Sequence, residues 1–475
     1  MTRRQVHVAV VGAGLGGLAA AIGISRAGHL VTIFEQAQVL SEVGAGIQIP
    51  PNSSSILKRW GLLPQIQTFS VEPQFFIFRS YKTGNILQKQ PLNPDSALKY
   101  GAPYFNIHRA DFHHILVQEA QRLGVKIRLR STVQHINFEK PSLELQDGSE
   151  FHADIIVGAD GINSMCREAV LGRPDPPHLT GDLAYRITVK AEDMKKHPEL
   201  VDLTVKPSMN YWLGPDSHAI SYLMKEGGGL YNIVLIRPDN MPELVHTAIA
   251  NVQEMLDFFE HWDPKLRALL SIVQETLKWR LLSSTEMKQW SHPSGKCVLL
   301  GDAVHATLPY LAQGAAMAVE DGAVLGLLFE KLQTKEQLSD ILMIFERIRK
   351  ARTTRVVRES SEARQHLHLH DGARQRERDR HLLKEPPFEG FPNRFADPEL
   401  QPWLYGYDPQ AVVDHAWELY LRGLSTRPVA IRFIRIMLAI GNGHIGQGNI
   451  IEDEYNPTLE EQAIWAHEDV SDSGP

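Results

Sequence analysis

The chain has 475 residues, 43% of them hydrophobic and 22% charged, with a net charge of −7 at pH 7. That is enough material for two or three domains, and the acidic balance argues against nucleic acid as the main partner. Cys166 and Cys297 are the only cysteines, which excludes a disulfide framework and a cysteine-ligated zinc site, and no uncharged stretch reaches the ~20 residues a membrane-spanning helix needs, so the composition reads as cytoplasmic.

Arg3 and Arg4 precede an apolar run, but no small-residue cleavage site follows it. Val6-His7-Val8-Ala9-Val10-Val11 reads as a buried parallel strand. A G-x-G-x-x-G pattern at Gly12, Gly14 and Gly17 then turns the chain into an Ala-rich helix. Gly14 lets the backbone approach a pyrophosphate lying on the positive end of that helix. A second apolar strand from Leu30 to Phe34 is closed by Glu35, placed to accept hydrogen bonds from an adenosine ribose. The pieces together predict a dinucleotide site; the bland alternative is an Ala/Gly-rich βαβ unit that binds nothing.

Ser41 to Ile49 carries Ala45 between Gly44 and Gly46, a stretch suited to close approach by a ligand, and Asn52 is placed to start a helix from Ser53 to Trp60. Residues 75–90 alternate like a hairpin about Thr83-Gly84-Asn85. Asp111 reads as the cap of a helix carrying Phe112, Ile115, Leu116 and Leu123. Arg109, just before it, is either a pyrophosphate partner or a solvated loop charge. After a β region turning at Asp147-Gly148, a buried strand ending at Gly158 runs into Asp160-Gly161, with Ser164 near the start of the next helix.

From about 180 to 290 short alternating segments predict an antiparallel sheet inserted into the first unit: Ala184–Val189, Asn210–Leu213, Ala219–Met224 and Leu230–Ile236, with turns such as Gly227-Gly228-Gly229. Arg186 and Tyr222 are polar tips on these core-like strands, and an Arg on a sheet is ordinarily a solvated surface residue. The chain returns through Lys296–Leu300 to Gly301-Asp302, an acceptor at the sheet edge where open α/β folds bind ligands. Gly314-Ala315 opens a long helix whose first N–H groups face that edge. The Arg-rich helix over 341–364 reads as a solvated face. His366, His368 and His370 lack nearby cysteines and run into polar sequence, so no metal site is expected. Residues 371–411 read as an extended surface wrap, and 411–440 as helical.

In this order, the chain resembles the flavin-dependent aromatic hydroxylases of the para-hydroxybenzoate hydroxylase class, most of all the fungal salicylate hydroxylase-like monooxygenases. The resemblance spans about residues 5–365 and rests on VVGAGLGGLAAAI with Glu35, ADIIVGADGINS, and GDAVHATLPYLAQGAAMAVEDG. It implies an α/β fold: a Rossmann-like FAD-binding domain over 1–179 and 291–365, an inserted antiparallel-sheet substrate domain over 180–290, and a largely helical C-terminal region over 366–475.

The resemblance assigns the FAD ribityl chain to Asp302, shared FAD and pyridine-nucleotide contacts to Asp160, the adenosine ribose to Glu35 and the phosphate and ribityl side to Arg109. Ala45 and Gly46 fall in the mobile flavin-edge loop, and Gly314 and Ala315 beside the flavin pyrimidine. Arg186, in AYRITV, and Tyr222, in HAISYLM, are implied to hold a substrate phenolate. Tyr231 competes for the second role, because the family's Tyr-Pro-Leu reads Tyr222-Leu223-Met224 here.

The implied activity is hydroxylation of a phenolic or salicylate-like small molecule in fungal secondary metabolism, using NAD(P)H and O2 through a flavin C4a-hydroperoxide. NAD(P)H is a transient visitor, and the protein a monomer or homodimer. The alternatives are an FAD-dependent epoxidase or oxidase of an isoprenoid or indole, or a non-catalytic dinucleotide-binding protein.

Overall fold

A computed structural model of the chain describes residues 5–40, 45–225 and 229–423. The Val-rich strand His7–Val11 is central in a five-stranded parallel sheet. Leu30–Phe34 and Lys126–Arg128 lie on one side of it, Ile155–Gly158 and Cys297–Leu299 on the other. The inner strands are almost continuously apolar because helices cover the sheet. Two of these, Leu15–Arg26 and Gly314–Lys331, cross with their backbones touching: a Cβ on Gly23 would stand 2.2 Å from the Gly322 carbonyl oxygen. Their Ala/Gly composition permits this approach.

The second sheet has eight strands. Thr247–Ile249, Leu277–Ser283, His178–Lys190, Leu230–Pro238, Ser217–Leu223 and Ser208–Gly214 run antiparallel in that order. The hairpin Phe75–Ser80 and Ile86–Pro91 then joins from far upstream, Phe75–Ser80 pairing parallel to Ser208–Gly214. One face packs Tyr185, Trp212, Tyr231 and Leu235 against the helices Val252–Phe258 and Pro264–Ser271. The other carries Phe76, Tyr211, Ile220, Tyr222 and Met224 toward Tyr310 and the C-terminal segment.

Several local expectations are corrected. The helix expected from Ser53 starts at Pro51, with Pro50 as N-cap; the Asn52 amide instead donates to Gln313 and Glu320 inside the core. Asp111 lies in the first turn of Arg109–Arg122, whose N-cap is His108. Arg349 and Arg352, on the helix Leu338–Leu367, are buried rather than solvated, because Glu320 and Asp321 on the neighbouring helix are buried too and need counter-charges. Residues 371–411 are no simple surface wrap: they contain helices Ala373–Leu382 and Leu400–Tyr405 and insert Phe391 and Phe395 into the core. Their charged, Pro-rich composition hides these few anchors. The helix Pro409–Leu421 follows. Residues 41–44, Gly227-Gly228 and everything beyond 423 lie outside the described residues. Among the described residues no helix is long and apolar enough to cross a membrane.

Candidate active site

At the end of the first strand Gly12 adopts φ +99° and Gly17 packs beneath it, a Cβ there falling 2.0 Å from the Gly12 carbonyl oxygen. A Cβ on Gly14 would meet none of the described residues within 4 Å. The tight turn therefore needs Gly12 and Gly17, while Gly14 keeps the approach to the helix N-terminus open. Glu35 is fixed from below: its carboxylate accepts the N–H groups of Ala13 and Ala37, both at 2.8 Å. His113 ties the same turn to the next helix through the Ala13 carbonyl at 2.8 Å. These groups line a cleft of about 380 Å³ together with Val39, Arg109 and Arg186.

Asp160 spends both oxygens inside its own loop, accepting from the Ser164 hydroxyl and the Cys166 N–H. That loop abuts the Gly12 turn, where a Cβ would touch the Ala159 carbonyl oxygen at 2.5 Å. Asp302 begins a short helix after Gly301 and is exposed at the same sheet edge. Gly314 and Ala315 open an eighteen-residue helix nearby.

The Gly301-Asp302 corner is held by a buried charge cluster. Asp321 accepts from the Gly301 N–H at 2.9 Å and from Arg349 Nε at 2.7 Å, and lies 2.6 Å from His305 Nε2. Burial alone would raise the Asp321 pKa, but His305 and Arg349 more than offset it and pull it down to about 2. Glu320 takes a two-point grip from Arg352 at 2.7 and 2.8 Å.

Ala45 and Gly46 tie the start of the helix Arg109–Arg122 to the eight-stranded sheet. The Ala45 carbonyl accepts from Arg109 N–H at 3.0 Å, and Gly46 N–H donates to Asn232 Oδ1 at 2.8 Å. A Cβ on Gly46 would lie 2.7 Å from the Tyr222 ring and 2.8 Å from Asn232 and Met224. Gly46→Ala should therefore push the strand Gly46–Ile49 off the larger sheet and lose roughly 1–3 kcal/mol, read as a lower thermal midpoint with earlier flavin release. An unchanged midpoint would show that the interface yields freely.

Beyond Gly46 the tyrosines converge. Tyr104 donates to Gln48 Oε1 at 2.5 Å. Burial pushes the pKa values of Tyr211 and Tyr222 up; Gln48 opposes this at both, and Arg186 opposes it at Tyr222. Tyr231 does not compete: it points to the other face, its hydroxyl 2.8 Å from that of Ser221. Arg186 lies on the Tyr222 face but at the mouth of the cleft, its guanidinium 4.9 Å from the Trp279 ring centroid. The structure thus gathers Gly14, Glu35, Arg109 and Arg186 around one cleft, and brings Gly46 against Tyr222 in the buried tyrosine cluster.

Sequence reasoning missed Gln48, Tyr104, Tyr211 and Asn232, and also the back wall, where Phe395 stacks on Phe76 at 4.5 Å and Tyr405 meets Tyr104. Strand alternation could have placed Tyr211 on the Tyr222 face; nothing local marks the others. Among the described residues no cluster could hold a metal.

A cleft at a glycine-rich turn and helix N-terminus, beside a buried cluster of tyrosines, suits a cofactor-dependent oxidoreductase. The FAD binding domain family matches residues 5–210 and 268–360. A FAD-dependent monooxygenase, OpS4 of Beauveria bassiana, is 38% identical over 423 residues, covering 87% of this chain and 98% of that protein. The 3-hydroxybenzoate 6-hydroxylase of Polaromonas naphthalenivorans is 31% identical, covering 85% and 96% respectively. A salicylate hydroxylase substrate complex shares the fold with TM-score 0.72 at 24% identity, covering 87% of this chain and 98% of that one. The chain belongs to the FAD-dependent monooxygenases of the FAD binding domain family, enzymes that take NAD(P)H as reductant. The residues present suit the cofactor: Glu35 for a ribose, the open side of Gly14 for a pyrophosphate, and Arg109 as its counter-charge.

Proposed function

We propose that this enzyme hydroxylates a phenolic or salicylate-like arene, with Arg186 and Tyr222 holding the substrate oxygen and Glu35, Arg109, Asp160, Asp302 and the Gly314-Ala315 helix start holding FAD. The observation that carries this reading is the inner sheet face, where Tyr222 abuts the Gly46 strand and feels the charge of Arg186. Bound FAD, with NAD(P)H and O2, supplies oxygen-transfer chemistry that no side chain provides. The protein's part is to bind and orient the ring, favour its phenolate and exclude water. A guanidinium stays charged at working pH, so Arg186 is a permanent counter-charge that favours the ionised and more nucleophilic ring. Tyr222 donates a hydrogen bond that selects the ring carbon to be attacked. Packing of Phe395 and Tyr405 behind the tyrosines shields them from water. Two buried free cysteines suit the reducing cytoplasm, where we place the enzyme as a monomer or homodimer.

A panel of phenols, hydroxybenzoates and resorcinol-type aldehydes should contain at least one compound that accelerates flavin reduction and is hydroxylated. Stimulation by terpenoids or indoles alone would replace this reading with the epoxidase one. Arg186→Ala should keep its yellow colour and lose about ten- to a hundredfold in kcat/KM, as expected for a lost hydrogen bond to a charged partner. The place of Arg186 beside Gly14 and Glu35 supports a second reading, in which it serves the FAD phosphates. Colourless Arg186→Ala protein would decide for that one, and full activity would assign it to the surface.

A further inference from the structure

The buried tyrosine cluster has more hydrogen-bond donors than its own atoms use. Asn232 is fully buried; its Oδ1 accepts from Gly46 N–H, and its Nδ2 has no partner among the described residues. Tyr222 stands directly opposite it on the neighbouring strand, and Tyr211 shares the same sheet face one strand further on. Gln48 reaches both tyrosines while its Oε1 is occupied by the Tyr104 hydroxyl. The Gln48 amide thus lies beside both hydroxyls with its acceptor already engaged by Tyr104. No hydrogen bond among the described residues consumes either hydroxyl proton, and Arg186 adds positive charge at Tyr222.

We propose that Tyr211, Tyr222 and Asn232 form a three-donor subsite for an oxygen acceptor on the arene, with Gln48 as the uncharged side chain beside both hydroxyls that leaves their protons to the ligand. The group it takes is acceptor-only: a phenolate, carbonyl or carboxylate oxygen rather than a neutral hydroxyl. A neutral phenol would bring a further donor and leave buried donors unmatched. This rests on the monooxygenase reading above and deepens it, because it adds Tyr211, Asn232 and Gln48 and states the polarity of the group they read.

The test uses FAD-loaded enzyme and benzoate as probe, a ring whose only polar group accepts hydrogen bonds, followed by perturbation of the flavin absorbance. Wild-type protein should give a saturable change. Tyr211→Phe removes one donor without altering shape and should weaken benzoate about tenfold or more with FAD content unchanged. Gln48→Glu replaces a donor with a carboxylate that draws the tyrosine protons to itself, so binding should fall at about pH 8. Burial raises the pKa of such a carboxyl, and protonation restores a donor, so binding should recover as the pH falls to about 6. Loss of packing alone would not recover with acid. No saturable change with wild-type protein, wild-type affinity in Tyr211→Phe, or loss in Gln48→Glu that is indifferent to pH would each overturn the subsite. Failure of the monooxygenase reading shows separately, as benzoate binding without any phenol that stimulates NAD(P)H oxidation.

Discussion

Gly17→Ala should abolish accumulation of folded protein, whereas Gly14→Ala should fold and bind FAD poorly. The two glycines belong to one fingerprint, yet the space around them differs completely. At Gly17 a Cβ would lie 2.0 Å from the Gly12 carbonyl oxygen and 3.4 Å from Val10 Cγ1. The first of these is backbone in the turn that closes the central strand, so relief requires the helix Leu15–Arg26 to move. That helix cannot back away cheaply, because Gly23 is in backbone contact with Gly322 and Gly326 on its other side. A clash trapped between two backbones falls among the exceptional destabilisations, beyond about 4 kcal/mol. At Gly14 a Cβ meets no atom of the described residues within 4 Å, and its φ of −69° suits alanine. Its methyl would occupy space that a pyrophosphate needs, costing FAD affinity about five- to a hundredfold if overpacking there resembles that in a core. Soluble yield, melting temperature and the ratio of flavin to protein absorbance separate the two outcomes. A yellow Gly17→Ala protein with native melting would refute the turn argument; a Gly14→Ala protein that keeps full FAD would show that the cofactor lies farther from the helix start.

What could be read from the sequence follows from the range of the forces involved. The nucleotide-binding unit was legible because its signals are local: a valine run, glycines at fixed offsets, and an acidic residue at the next strand end. Strand alternation placed Arg186 and Tyr222, though it could not show that one opens onto the cofactor cleft and the other into the buried tyrosine cluster. The rest depends on pairings across long separations. The hairpin Phe75–Ser80 and Ile86–Pro91 joins a sheet whose six other strands begin about a hundred residues after its start, through a parallel contact that no hairpin signal marks. Gln48 looks like an ordinary strand residue until Tyr104 and Tyr211 are brought to it. Arg349 and Arg352 sit in a helix patterned like a solvated one, and only the burial of Glu320 and Asp321 across the helix interface explains them.

Asp321→Asn should cost about 3–5 kcal/mol and release FAD. Glu320 and Asp321 face Arg349 and Arg352 in a fully desolvated cluster of two carboxylates and two guanidiniums. Arg349 Nη1 lies 2.8 Å from Glu320 but is poorly aligned as a hydrogen bond, so Asp321, at 2.7 Å from Nε, is its aligned carboxylate partner. Asparagine keeps the shape and removes the charge, leaving one cation in excess where water cannot reach. The damage should travel to the cofactor, since the same carboxylate holds the Gly301 N–H that sets the Asp302 corner. Arg349→Met combined with Asp321→Asn should be less harmful than the two single changes summed, because the stranded charge is then gone. The pH dependence has a definite sign. The folded carboxyl titrates at about 2, below its ordinary value of about 3.9, so its contribution is fully present above that value and is lost as pH falls toward 2. Urea unfolding should therefore show a constant gap between wild type and Asp321→Asn from about pH 5 to 8, narrowing only below about 4. A gap that already closes between pH 7 and 5 would mean that a group other than the Asp321 carboxyl carries the coupling.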